Sequence, residues 1–438
     1  MSPELIAAGF FVLAIVLLVL GVHIGLALAL TGALGSFIIM GSFSAVIGLL
    51  KSTPYYSISI YELSVVPLFI LMGMFSIYGG ISEGAYQAIN SWVGRFRGGL
   101  GIATVWACTA FGATSGSSVA ASSVFTKVSF PEMKKGGYDP NFACASIAVA
   151  AGIAMLIPPS LYAVIYGMLA QTSISKMLIA GVLPGILQAV TLSLGIFFMA
   201  VRNPKIAPPS YVIYNLKQKV VYTLKAWPML LLAAIIIGGI YSGVFTPTEA
   251  AAVGAFAALI ICLSRRKLKR DQLRDSLVET AFTTAMLNLV IIGATVFSRL
   301  LTVSGLPVWV GELIVNSGLS PIMLVIALMV VFIVLGCFID AMSIMFITIP
   351  IFAPIIKAAG VDLIWFGVLT TVCLNLGTIT PPFGLCVYTV KAVAGPDVTV
   401  EGVFKAALPM YFPILATLVL LIALPIIITI LPKTMLGG

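Results

Sequence analysis

The chain has 438 residues, of which 61% are hydrophobic and 8% charged. Soluble domains carry about 25% charged residues, so the composition excludes a water-soluble domain and defines a multi-span α-helical membrane protein. The net charge of +9 fits cytoplasmic loops enriched in Lys and Arg and calls for no nucleic acid, while a single histidine excludes a His-based metal cluster or catalytic triad.

Met1-Ser2-Pro3-Glu4 lacks the basic start of a cleaved signal peptide, so the first apolar run, 5–21, is expected to stay as a span. Further spans are expected near 24–47 and 63–78, because a bilayer crossing needs about 20 apolar residues. Segment 98–130 differs. Its apolar arms, 98–111 and 119–130, reach roughly 20 Å at 1.5 Å per residue, short of the roughly 30 Å hydrocarbon core. Between them lies Gly112-Ala113-Thr114-Ser115-Gly116-Ser117-Ser118, a poor helix former. A re-entrant hairpin with a polar tip is expected.

The apolar run 141–169 is interrupted by Ile157-Pro158-Pro159-Ser160, where two prolines remove backbone donors and stop helix propagation. A span at 177–201 precedes the most polar interval, 203–225, a connecting arm. Spans are then expected near 227–241, 250–263 and 277–301, with a loop at 305–320. A second hairpin, 322–356, carries Gly336-Cys337-Phe338-Ile339-Asp340-Ala341 at its tip. A second broken helix, 363–393, is interrupted at Gly377-Thr378-Ile379-Thr380-Pro381-Pro382-Phe383-Gly384, and a closing helix runs to 431.

The halves match each other. A shift of 223 residues lays Pro131 on Pro354, Gly137 on Gly360, Asp139 on Asp362, and Pro158-Pro159 on Pro381-Pro382. An internal repeat follows, with residues 1–202 as the first unit, 203–225 as the arm and 226–438 as the second. Placing the N-terminus outside leaves only Lys51, Lys176, Arg299, Lys357 and Lys433, of 23 basic residues, outside or buried. By the positive-inside rule both termini are then periplasmic. The first hairpin enters from the cytoplasm and the second from the opposite face, so the repeats are inverted.

Non-helical backbone at membrane depth persists only when buried in protein or lining a cavity. The chain offers two tips and two Pro-Pro breaks. Half-helix ends and unwound carbonyls suit ions. Ser115, Ser117 and Ser118 therefore read as a cation and substrate cradle, with close helix packing of small residues as the competing reading. The same holds for Gly377, Thr378 and Thr380. An intramembrane carboxylate such as Asp340 reads as an ion ligand, against the plainer role of a helix cap. Arg299 could grip a substrate carboxylate or snorkel to the interface. The six cysteines read as packing residues, and no phosphate-binding glycine motif is present, so energy must come from a gradient or another subunit.

Gly-Ala-Thr-Ser-Gly-Ser-Ser at 112–118, Ile-Pro-Pro-Ser at 157–160 and Gly-Thr-Ile-Thr-Pro-Pro-Phe-Gly at 377–384 resemble the large membrane subunit of tripartite ATP-independent periplasmic (TRAP) transporters. The resemblance spans nearly the whole chain. It implies an all-α elevator-type transporter of the inner membrane, driven by Na+ at two or more sites. The partners it implies are a small four-helix membrane subunit on a separate chain and a periplasmic substrate-binding protein. It assigns sodium to Gly112, Ser115, Ser117 and Ser118 with Gly152 and Pro158, and to Gly336 and Asp340 with Gly377 and Thr380. Substrate contacts fall on Arg299, Ser117, Thr378 and Pro381. Substrates of the sialic acid or C4-dicarboxylate class are implied. A symporter working without a binding protein, and an ion channel, stay open as alternatives.

Overall fold

The computed structural model describes residues 2–209, 214–316 and 320–436, and among them every regular element is a helix. Among the described residues six helices are long and apolar enough to cross a membrane, or seven if Leu216–Lys225 and Trp227–Tyr241, bent by 48°, form one span.

One body is organised around the 35-residue helix Arg270–Ser304, along which Ile24–Met40 lies. Glycine dictates this pairing. A methyl group on Gly25 would stand 2.7 Å from the Leu289 carbonyl oxygen, on Gly32 2.7 Å from the Phe297 backbone, and on Gly293 2.1 Å from the Gly25 carbonyl oxygen. In lipid, where apolar surface alone gives helices no reason to associate, backbone contact of this kind holds them. Pro247–Ser264 and Val65–Tyr78 pack against each other beside this pair.

The second body contains the hairpins and broken helices. The first hairpin is Gly99–Ser115 with Ser118–Lys135, and the second is Pro321–Gly336 with Ala341–Ala358. The first broken helix runs Pro140–Ala151, tightens into a 3-10 turn at Gly152–Met155, and resumes as Leu161–Leu169. The second runs Leu363–Gly377 and resumes as Leu385–Ala394. Matched residues take matched roles. Asp139 accepts a hydrogen bond from the Phe142 N–H at 2.8 Å, and Asp362 accepts from Ile364 and Trp365, each capping its broken helix.

The halves interlock. Leu385–Ala394 lies against Ser118–Lys135, the Tyr166 hydroxyl donates to the Leu363 carbonyl at 2.7 Å, and Gly367 leaves room for the Tyr166 ring.

Several expectations need correction. The hairpin arms are 16 to 18 residues long, about 24–27 Å. The return arms run on through Pro131 and Pro354 into their polar ends, so they are longer than the apolar runs that suggested them. The span expected at 24–47 is two helices, because Gly41 at φ +64° ends the first and Ser42 caps Phe43–Ile58. The closing helix is also two, Val400–Ala423 and Ile426–Thr434. The polar arm holds the helix Leu216–Lys225, and the loop expected at 305–320 holds the helix Leu306–Asn316; residues 210–213 and 317–319 lie outside the described residues.

Candidate functional site

The two tips are each pressed against a break, and small residues make the approach possible. At the first, Gly116 takes a left-handed conformation (φ +59°), and a methyl there would lie 1.8 Å from the Pro159 carbonyl oxygen. A methyl on Gly112 would meet Ala154 Cα at 3.0 Å. The structure therefore brings Gly112 and Gly116 to the first break, while Ser115 backs onto Gly73 of Val65–Tyr78. The Ser115 hydroxyl is buried without a hydrogen-bond partner. Ser117 caps the return arm by accepting from the Ala120 N–H at 3.3 Å, and Ser118 is buried beside the phenol of Tyr162.

At the second tip a methyl on Gly336 would stand 2.8 Å from Gly377 Cα. The C-terminal ends of Pro321–Gly336 and Leu363–Gly377 thus abut. Helix C-termini carry partial negative charge, and Asp340 adds a carboxylate. Asp340 is a cap: its Oδ1 accepts from the Ser343 N–H at 3.0 Å and its Oδ2 from the Ser343 hydroxyl. The same residue faces open space on two sides. Gly336, Asp340, Gly377 and Thr378 line a small cavity of about 20 Å³ together with Tyr162 from the first half. About 10–15 Å³ suffices for one water, so a bare monovalent cation fits. On its other side Asp340 lines a cavity of about 410 Å³ shared with His23 and Thr283 of the first body. No Lys or Arg lines either cavity.

Other sequence candidates stand further off. The Thr380 hydroxyl is engaged with the Leu376 carbonyl at 2.7 Å, and Pro381 is exposed. Neither lines the small cavity. Both Pro158-Pro159 and Pro381-Pro382 are cis. Arg299 is exposed on Arg270–Ser304 and lines none of the cavities described here.

Asn375 and Tyr411 are not among the residues the sequence singles out, and Ser160 reads there only as part of the first break. Asn375 is fully buried, both amide atoms lack partners, and its Oδ1 occupies the space a Gly152 methyl would need (1.6 Å). The 223-residue shift pairs these two positions, so a residue and its counterpart touch. Ser160 spans the first break, donating to the Met155 carbonyl and accepting from the Ala163 N–H. The Tyr411 hydroxyl ties the second break through the Ile379 carbonyl at 2.8 Å. A polar residue inside an apolar run, as at Asn375, was the available signal.

Paired hairpin tips and paired helix breaks buried in a helical membrane body are the architecture on which secondary transporters build their sites. The solved YdaH transporter of Alcanivorax borkumensis has the same fold, with a TM-score of 0.64 at 15% identity over 97% of this chain and 98% of that one. The family description "Tripartite ATP-independent periplasmic transporter, DctM component" matches residues 11–427, and the chain belongs to this family. It is 35% identical to the C4-dicarboxylate TRAP transporter large permease protein DctM of Pseudomonas aeruginosa, over 85% of this chain and 86% of that protein. It is 33% identical to the sialic acid TRAP transporter permease protein SiaT of Haemophilus influenzae, over 86% of this chain and 61% of that one.

Proposed function

We propose that this permease imports an acidic organic solute of the sialic acid or C4-dicarboxylate class, coupled to sodium, across the bacterial inner membrane. The solute comes from a periplasmic substrate-binding protein, and a small four-helix membrane subunit completes the assembly. The observation that carries the sodium reading is the junction of Gly336 and Gly377. Two helix C-termini and one carboxylate converge on about 20 Å³ with no basic side chain lining it. Two C-terminal partial charges and a carboxylate favour a cation there, even with the carboxylate partly offset by its bonds to Ser343 at the start of Ala341–Ala358. Sodium needs oxygen ligands alone, which the Asp340 carboxylate and the local carbonyls offer. Ser115, Ser117 and Ser118 with the Gly152–Pro158 break form the corresponding first site.

The hairpin body moves as an elevator in this reading. The cavity beside Asp340 meets the long helix at Thr283, Leu287 and Val290. Arg299 stands nine residues beyond Val290, about 14 Å along the axis. A displacement of that size brings the second tip level with the guanidinium, which can then meet a substrate carboxylate near Ser117, Thr378 and Pro381. The inverted topology accompanies it, with the Lys134-Lys135 end of the first hairpin cytoplasmic and Gly305 periplasmic. Support comes from the basic loops gathering on one another: Arg265 donates to the carbonyls of Gly79 and Lys225, and Lys134 pairs with Asp397 at 2.8 Å.

Uptake into proteoliposomes holding both membrane subunits, with the binding protein outside, tests the reading. Uptake should require an inward sodium gradient and a binding protein. Equal uptake without sodium overturns the coupling. Uptake without any binding protein points to the self-sufficient symporter. Labelling of cysteines placed at 134 and 305 from the same side would sink the inverted arrangement.

A further inference from the structure

A third cavity, of about 500 Å³, lies apart from both tips, at the seam between the two bodies. One wall is the far part of Arg270–Ser304, presenting Thr295, Ser298 and Thr302. The facing wall is the outer end of Ala341–Ala358, presenting Lys357, and Ser57 and Gln171 close the sides. Its volume falls in the range that small-molecule sites occupy, about 300–1,000 Å³.

The chemistry of its lining is one-sided. Lys357 is the only charged residue on it, and no Asp or Glu lines it. Lys357 makes no ion pair among the described residues. Gln171 holds a left-handed backbone (φ +50°), uncommon outside glycine. It also lines a neighbouring cavity of about 620 Å³ with Glu62, Thr172 and Thr246, so the two spaces meet at this side chain and the Glu62 carboxylate belongs to the second of them. A lysine in the last turn of a helix is also favoured by the helix dipole. That accounts for a lysine at position 357 and leaves the acid-free, hydroxyl-lined cavity in front of it unexplained.

We infer that this cavity is a second carboxylate-binding site, in which Lys357 supplies the charge and Gln171 and Ser298 supply hydrogen bonds, the hydroxyls of Ser57, Thr295 and Thr302 already donating to carbonyls of their own helices. It lies toward the Ser304 end of the long helix, whereas the Asp340 cavity meets that helix around Thr283–Val290. An acid held there waits on the side remote from the second tip. The inference deepens the acidic-solute reading above and rests on it for its physiological meaning.

Thr295→Cys places a reporter in the cavity. Its modification by a maleimide is followed by mass spectrometry at that residue, in the full assembly, while succinate or sialic acid is titrated. One of the two acids should slow modification. Lys357→Gln should raise the half-protecting concentration about ten- to a hundred-fold, the loss expected for a charged hydrogen bond. Lys357→Arg should restore most of the protection, which shows that the site survives substitution. Protection by neither acid overturns the site, as does protection unchanged in Lys357→Gln or matched by chloride at equal ionic strength. Sodium-driven uptake on the same preparations separates the failures. Uptake without protection removes this site alone; Lys357-dependent protection without uptake removes the importer reading and leaves the site standing.

Discussion

At the first hairpin the residue capping the return arm is Ser117; at the second, 223 positions on, it is Asp340. The bonds correspond, to the N–H of Ala120 in one case and of Ser343 in the other. Around these caps the tips diverge. The first turns through Gly116 in a left-handed conformation, where the second has Ile339. The first presses on its break with Gly112 against Ala154, and the second brings two glycines into contact. The first tip is thus neutral and sterically locked, while the second is charged and borders a void of about 20 Å³. If both tips hold sodium as proposed, a shared backbone plan carries two sites of unequal electrostatic strength, and the substitutions below separate the lock from the charge.

The largest effect is expected from the lock. Gly116→Ala brings a methyl into the Pro159 carbonyl and adds the left-handed penalty of about 1–2 kcal/mol. Uptake should be nearly abolished and the melting temperature of the purified protein should fall. Gly360→Ala, also at positive φ but with nothing within 4 Å, bears the strain without the collision and should keep most of its uptake. Equal damage from both would show that the packing of tip on break is unimportant.

The charge comes next. Asp340→Asn keeps a good helix cap and removes the anion. The sodium concentration giving half-maximal uptake should rise about ten- to a hundred-fold, as for a lost charged contact of about 1.5–3 kcal/mol. Ser117→Ala should cost about 0.5–2 kcal/mol of stability through its cap and shift sodium dependence less than about tenfold. Matching sodium shifts in the two variants would erase the distinction between a charged and a neutral tip.

Smaller consequences attach to single hydrogen bonds. Thr378→Val removes the bond to the Asn375 carbonyl, 2.8 Å long, worth about 1 kcal/mol, and should alter uptake a few-fold. Lys134→Ala opens a pair whose side chains are 53% and 41% exposed. Surface pairs contribute about 0–1 kcal/mol, so melting temperature and uptake should scarcely change.

What could be read from the sequence follows the range of the forces involved. Proline and glycine act through covalent geometry at their own positions, so the breaks at 157–160 and 377–384 and the tips at 112–118 and 336–341 were visible without a fold. Ile81–Val93 and Leu216–Lys225 were not. Each has an apolar stripe on one face only, and a search for continuous apolar runs passes over such helices. The arms were underestimated for a related reason, since Ser118–Lys135 stays helical well past its apolar portion. Asn375 lay hidden because its significance depends on Gly152, more than two hundred residues away, and only the crossing of the two broken helices brings them together. Asp340 was legible both as a ligand and as a cap, and it holds the cap while facing open space.

The Gly152–Asn375 contact bears on how such a protein can be assembled. Positions equivalent under the repeat that also touch one another lie where a two-fold relation between the halves would map the molecule onto itself. Were the halves identical separate chains, that spot would receive the same side chain twice. Two asparagines would collide, because the amide already fills the volume of the glycine's missing methyl, and two glycines would leave a hole. A large residue opposite none is a combination open only to halves free to diverge. Joining them in one polypeptide permits this asymmetry at the centre, and it fixes which half fills the gap and which one yields.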